Sequence, residues 1–343
     1  MRGLMLTRWR SDPELVELPD PEPGPGEVLL RVGGCGCCHT DVTVCRDAWP
    51  GTVAWQPPFV LGHEIAGWAL ALGPGVEGIE LNAGYVAYAA VGCGECSACR
   101  VGLENYCERQ VTTPPALGLG RNGGMADYVV VPARHLVPLG DFEPAAAAPL
   151  ADAGLTTYHA VKRVRGSLGP GSHALVIGLG GLGTTAVQVL KAMTDAVVIG
   201  VDSQIEPLAV ARAAGADHVL RFSPTTREQI RELTGGRGCE AVLDLVGETA
   251  TMRLGLTAGR PGGSLTVIGM THESYPWSFA EAPPEMTISS TLWGSVPELH
   301  EVVSLTQQGL IRPTIERYTL DGAVDAFKRL EHGELCARAV IVP

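Results

Sequence analysis

Several things are scarce in this 343-residue chain. Charged residues make up only 18% of it and aromatics 5%, and the net charge is -12. With no basic excess, a broad nucleic-acid-binding surface is excluded, although a local patch is not. No apolar run reaches the roughly 20 residues a membrane span needs. The nearest stretch, Ala174 to Val189, is interrupted by glycines and threonines and reads better as strand, turn and helix. The opening MRGLMLTRWRSDPE has no apolar core behind its basic residues, so it does not read as a secretory signal. A cytoplasmic protein with no membrane and no nucleic-acid partner is expected. Disorder is excluded too, because 45% of the residues are apolar.

Cysteine, by contrast, is present ten times, and eight of the ten fall in two short clusters, 35–45 and 93–107. Disulfide frameworks belong mostly to small secreted domains; clusters in a chain of this kind point to metal or thiolate chemistry. Cys93, Cys96, Cys99 and Cys107 lie within 15 residues of glycine-containing loop. Four thiolates suit a closed tetrahedral zinc site that stabilises a loop too irregular to form its own core. An iron–sulfur cluster is the competing reading, but Cys107 lies too far along and no proline follows it.

The first 150 residues carry short apolar runs (27–32, 63–72, 85–90 and 125–132) set among Gly, Pro and Asn, which predicts a β-rich unit. From about Ala145 the pattern changes. A helix is expected through PAAAAPLADAGLTTYHAVKRV, followed by alternating strands and helices: 174–178, 197–202, 241–247 and 262–269 as strands. That alternation implies a parallel sheet covered on both faces. Segments 297–309 and 322–333 read as helices, and 336–343 as a last strand.

Gly178, Gly180 and Gly183 form G-x-G-x-x-G between a strand and a helix. In that setting the turn, with Gly181 and Leu182, offers helix-start amides to a pyrophosphate. Asp202 ends the next strand, 19 residues after Gly183. A carboxylate there accepts from ribose hydroxyls and repels a 2′-phosphate, and the first basic residue after it is Arg212. NAD is therefore preferred over NADP. A plain strand–helix turn and a plain surface acid are the bland alternatives.

Three further places offer metal ligands: Cys37 and Cys38 in GCCHTD, His63 in GHE, and Asp152 in LADAG. A Cys, a His and a carboxylate would leave a fourth position of zinc open. Spacing alone does not bring these segments together.

Taken with the GCCHTD, LGHE, four-cysteine and glycine-rich motifs, the sequence resembles the zinc-containing medium-chain alcohol dehydrogenases over nearly its whole length. It is most similar to the bacterial branch acting on secondary alcohols and aryl or alkyl ketones. The resemblance implies an α/β protein with a β-rich catalytic domain, a GroES-like partly open barrel, and a doubly wound parallel sheet (Rossmann). It places the GroES-like domain at 1–153, the NAD-binding domain at 154–293 and a return to the catalytic domain at 294–343. Two zinc ions per subunit and NAD are implied, with reversible oxidation of a primary or, preferentially, secondary alcohol through a zinc-bound alkoxide. A small-molecule substrate and a homotetramer are expected.

Carried over residue by residue, the resemblance implies Cys38 and His63 as catalytic zinc ligands, with Cys37 as the other Cys candidate. The third ligand is usually a Cys; here Asp152 stands in its place, as an oxygen ligand or as the mark of a weakened site. Glu64 matches an acid behind the metal. Asp41 is a hydrogen-bond acceptor for the far nitrogen of His63 or a helix N-cap. Thr40 matches the hydroxyl that takes the alcohol's proton. Thr43 stands where relatives often carry a relay His. His39 matches a position facing the pyrophosphate or is an exposed structural residue. Trp49, Trp55, Leu119 and Trp293 are candidates for the substrate pocket, while Cys35 and Cys45 read as buried small hydrophobes. A polyol dehydrogenase, a zinc-free quinone or enoyl reductase, and a non-enzymatic zinc- and NAD-binding protein of the same fold are the rival readings.

Overall fold

The computed structural model describes residues 1–47, 53, 55–110 and 115–343. The chain forms two compact units. The first comprises Met1–Leu155, Gly294–Gln307 and Pro313–Pro343; the second comprises Thr156–Trp293 and Gln308–Arg312.

The first unit is built on a mostly antiparallel seven-stranded sheet among the described residues. Its spine is Glu27–Gly36, which pairs with Glu64–Leu72 on one side. Near its C-terminal end it pairs with the closing strand Arg338–Val342, and along its first half with Tyr128–Pro132. The alternation Val28, Leu30, Val32 is buried while Arg31 faces outward. From Val32 to Gly36 the strand is buried throughout, which is why its sequence does not alternate there.

The helix His39–Asp47 sits in this β-rich unit where helix signals are sparse. Its Val and Thr residues give little propensity, so tertiary contacts hold it. Arg46 near its C-terminus forms a two-pronged pair with Glu331, at 2.6 and 2.7 Å, and also reaches Asp12 at 2.6 Å.

The continuous helix expected from Ala145 is instead broken. Pro144–Ala147 is helical, Ala148–Ala151 is a 3-10 turn, and a new helix runs Ala153–Val164. Pro149 has no N–H to continue the ladder. Asp152 lies at the break with φ -131° and ψ -67°. The break leaves its side chain at the head of a helix rather than along one.

The second unit holds a six-stranded parallel sheet. Its order is 218–221, 197–202, 173–177, 239–244, 259–267, 287–290, or 3-2-1-4-5-6 within the unit. That is the doubly wound dinucleotide-binding order. Leu175, Ile177, Ile199, Val201, Val242 and Leu265 form its buried core, with Ile230 and Leu254 packed on them from covering helices. Each such side chain contributes roughly 1.5–3 kcal/mol on burial. The expected fold class is the one observed. No helix among the described residues is long and apolar enough to cross a membrane.

Candidate active site and metal centres

The site begins where the spine strand ends. Cys37 N donates to Ala339 O at 2.8 Å, tying this corner to the closing strand. The helix starting at His39 then turns the chain away and leaves the Cys38 thiol facing inward. Asp41, fully buried in the first turn, has two tasks. Its Oδ2 accepts from Cys38 N at 2.9 Å, the back-reaching half of a capping box. Its Oδ1 lies 3.2 Å from His63 Nδ1. Asp41 thus faces both the His63 ring and the helix start, and it reaches the latter from inside the helix and not from the N-cap position. With Nδ1 facing Asp41, the Nε2 side of the ring is turned to the cluster, the orientation a metal ligand needs.

Asp152 Oδ2 lies 3.4 Å from Cys38 Sγ and 3.5 Å from His63 Nε2. Ligand atoms of Cys38, His63 and Asp152 all fall within 4.8 Å of one another, and all three residues are buried. Bonds of about 2.0–2.3 Å in a tetrahedron place ligand atoms roughly 3.3–3.8 Å apart, so the cluster fits zinc. The electrostatics agree. Burial by itself opposes charge on His63, but Asp41, Asp152 and Cys38 overcome it and push its pKa well above the ordinary value. This is a pocket that favours a cation. Cys37, although buried next door, does not join the cluster; burial pushes its thiol pKa far up.

Behind Asp152 stands a residue the sequence reading missed. Arg338, from the closing strand, grips Glu64 with both arms: Nε to Oε2 at 2.9 Å, and Nη2 to Oε1. The same Nη2 is 3.5 Å from Asp152 Oδ2. Glu64 Oε1 also accepts from Ala153 N at 3.1 Å, which pins the chain just after Asp152. Gly36 makes room for this arrangement, since a Cβ there would meet Glu64 Oε2. Burial raises the pKa of Glu64, against the pull of Arg338. The signal in the sequence was an arginine in an otherwise apolar final strand, CARAVIVP.

Around this cluster, Thr40 Oγ1 is 3.5 Å from Cys38 Sγ. His39 is exposed on the same turn, and its carbonyl accepts from Thr43 Oγ1 at 3.1 Å. Cys35 and Cys45 are fully buried. Trp55 lies between Trp9 and Phe59, each with ring centroids 5.5 Å away. Leu119 and Trp293 are buried, and Trp49 lies outside the described residues.

Cys93, Cys96, Cys99 and Cys107 also bring their four sulfurs within 4.8 Å. Backbone amides of Glu95 and Cys96 point at Cys93 Sγ, at 3.5 and 3.4 Å, and Cys93 N points at Cys107 Sγ at 3.4 Å. The Glu95 and Cys96 amides lower the Cys93 pKa to about 6, favouring the thiolate a metal takes. All ten cysteines are free thiols, so no disulfide competes. With four sulfurs the site is closed and structural. Buried Glu104 ties the loop down, accepting from Gly92 N at 2.6 Å and Arg134 Nε at 2.8 Å, with His135 Nε2 2.9 Å away.

In the second unit, Gly178 takes φ +85°, and a Cβ on Gly183 would strike Gly178 O. The helix can start this close to the strand only without those side chains. A Cβ on Gly180 would meet nothing within 4 Å, so the turn opens onto free space as a pyrophosphate cradle requires. Gly181 and Leu182 form the first turn of the Gly181–Met193 helix. Asp202 Oδ2 accepts from Leu179 N at 2.7 Å and Oδ1 from Gln204 N at 2.9 Å, which fixes the carboxylate beside the turn. These residues fit NAD.

Residues 24–141 match the alcohol dehydrogenase GroES-like domain, and residues 181–308 match the zinc-binding dehydrogenase domain. An NAD-dependent alcohol dehydrogenase of Sulfolobus acidocaldarius is 34% identical, with 99% of both chains covered. The alcohol dehydrogenase structure from Aeropyrum pernix superposes with a TM-score of 0.93 at 34% identity, covering 100% of each chain. The structure of acetophenone reductase from Geotrichum candidum in complex with NAD gives a TM-score of 0.86 at 31% identity, covering 100% of this chain and 97% of that one. The chain belongs to the zinc-containing medium-chain alcohol dehydrogenase family, and its activity is the NAD-dependent oxidoreduction of an alcohol at a zinc site.

Proposed function

We propose that the enzyme interconverts secondary aryl or alkyl alcohols and their ketones, with Cys38, His63 and Asp152 as the catalytic ligands. The observation that carries the reading is the convergence of those three side chains, with 3.4 and 3.5 Å between their ligand atoms. Zinc held there would supply Lewis acidity toward the substrate oxygen, and NAD bound at the glycine turn would supply the hydride acceptor. The chain's own residues do the rest. Asp41 fixes the ring of His63. Arg338 and Glu64 hold Asp152 in place. Thr40, beside Cys38, accepts the alcohol's proton, and its hydroxyl can pass one on because it both donates and accepts. Gly178, Gly180 and Gly183 with the amides of Gly181 and Leu182 cradle the pyrophosphate, and Asp202 takes the ribose hydroxyls.

The likeness to an acetophenone reductase over the whole chain supports the ketone class. The test is NAD-dependent oxidation of 1-phenylethanol against sorbitol. A kcat/KM at least about tenfold higher for 1-phenylethanol, about 1.4 kcal/mol of transition-state preference, is expected. Preference for sorbitol would replace this reading with a polyol dehydrogenase.

We also propose a cytoplasmic homotetramer, assembled in part through the Thr287–Ser290 edge of the parallel sheet. That strand has one partner, Gly259–Val267, among the described residues. Ile288 on it is 44% exposed, and Trp277 and Phe279 in the preceding segment are 61% and 95% exposed. An open edge flanked by exposed apolar side chains invites a second chain. Light scattering on wild type is expected to give four chains. Ile288→Arg with Phe279→Asp is expected to give a smaller species; an unchanged mass would remove this edge from the assembly.

A further inference from the structure

Sequence distance hides one basic residue from the cofactor turn. Arg221 lies 19 positions after Asp202, yet the strands 197–202 and 218–221 pair in parallel with Asp202 and Arg221 as direct partners. Residues in register across a sheet leave on the same face, about 5 Å apart. Asp202 and Arg221 therefore leave the same face of the sheet at the C-terminal strand ends, where dinucleotides bind, without pairing with each other. Arg221 Nε donates to Ser203 O at 3.2 Å, which draws the guanidinium to the residue right after Asp202. Among the described residues it has no carboxylate partner, and it is exposed. An arginine this free, with its fork anchored at one nitrogen, has its remaining donors available to an anion.

We infer that Arg221 is a second determinant of cofactor selectivity, a 2′-phosphate ligand held in check by Asp202. NAD preference then rests on the single negative charge of Asp202 and not on the absence of a phosphate partner. The inference rests on the NAD site at Gly178–Asp202, and the test keeps the two apart.

Binding of adenosine 5′-monophosphate and adenosine 2′,5′-bisphosphate is measured by calorimetry on the zinc-loaded protein. Asp202→Asn is expected to raise affinity for the bisphosphate at least about tenfold. Adding Arg221→Ala is expected to abolish that gain, while affinity for the monophosphate changes less than about threefold. Since Asp202→Asn gives up one of two backbone hydrogen bonds, Arg221→Ala is also made in the wild-type background. There it should weaken the bisphosphate selectively and flatten the salt dependence of its binding. Equal bisphosphate binding with and without Arg221, in both backgrounds, overturns the proposal. So does an equal loss for both ligands, which would place Arg221 against the adenine. Failure of wild type to bind the monophosphate at all would instead remove the NAD site itself.

Discussion

Asp152→Ala is expected to hold one zinc per chain where wild type holds two, and to lose NAD-dependent alcohol oxidation by at least about a thousandfold. The lost ion is the one at Cys38 and His63, because the four-cysteine site shares no residue with it. Two ligands do not hold zinc firmly against water, and the neighbouring carboxylates of Asp41 and Glu64 are already engaged. Arg338 holds both oxygens of Glu64, and Ala153 N adds a further hydrogen bond. Asp152→Cys is expected to restore two zincs, since thiolate serves zinc equally well. Metal analysis and steady-state rates on the same preparations decide the matter. Two zincs and retained turnover in Asp152→Ala would show that Glu64 has broken its pair and taken over.

Arg338→Met should be the most damaging change away from the ligands. Removing one partner of a buried pair leaves an uncompensated charge and costs about 3–5 kcal/mol. Glu64 is fully buried and Arg338 nearly so. Part of the loss is limited by protonation of Glu64, whose pKa burial already raises. Denaturant unfolding of the zinc-loaded protein should show the midpoint fall. Arg338→Lys should recover some stability but not the two-armed grip. A structural role alone would leave the metal untouched; positioning of Asp152 requires that zinc affinity at the catalytic site fall as well, by about 10–100-fold. Unchanged affinity would reduce Arg338 to a core ion pair.

The chemistry of the site was legible in residue types, and its assembly was not. Cys38, His63 and Asp152 each stand out in their motifs, but 114 positions separate Cys38 from Asp152. Only the sheet, with the break after Pro149, brings them together. The glycine turn and Asp202 were readable because strand, turn and helix follow one another directly. Arg338 and Arg221 were missed for one reason: each reaches its partner through strand pairing, which local pattern does not encode. The helix His39–Asp47 was legible only through the N-cap alternative at Asp41, because it is held by the Asp41 cap and the Arg46–Glu331 pair and not by propensity. Strands at 2–6, 14–17, 287–290 and 315–319 escaped too. The exposed ones, such as Glu14–Glu17 and Thr287–Ser290, lack the apolar alternation that marks a half-buried strand.

A crystal structure of the zinc-loaded enzyme, with anomalous scattering measured at the zinc edge, decides whether Asp152 binds the metal. Two peaks per chain are predicted. One should be enclosed by Cys93, Cys96, Cys99 and Cys107. The other should be bonded to Cys38 Sγ, His63 Nε2 and an oxygen of Asp152, the last at about 2.0–2.2 Å. A single peak at the four cysteines, or a second ion held by Glu64 with Asp152 turned away, would contradict it.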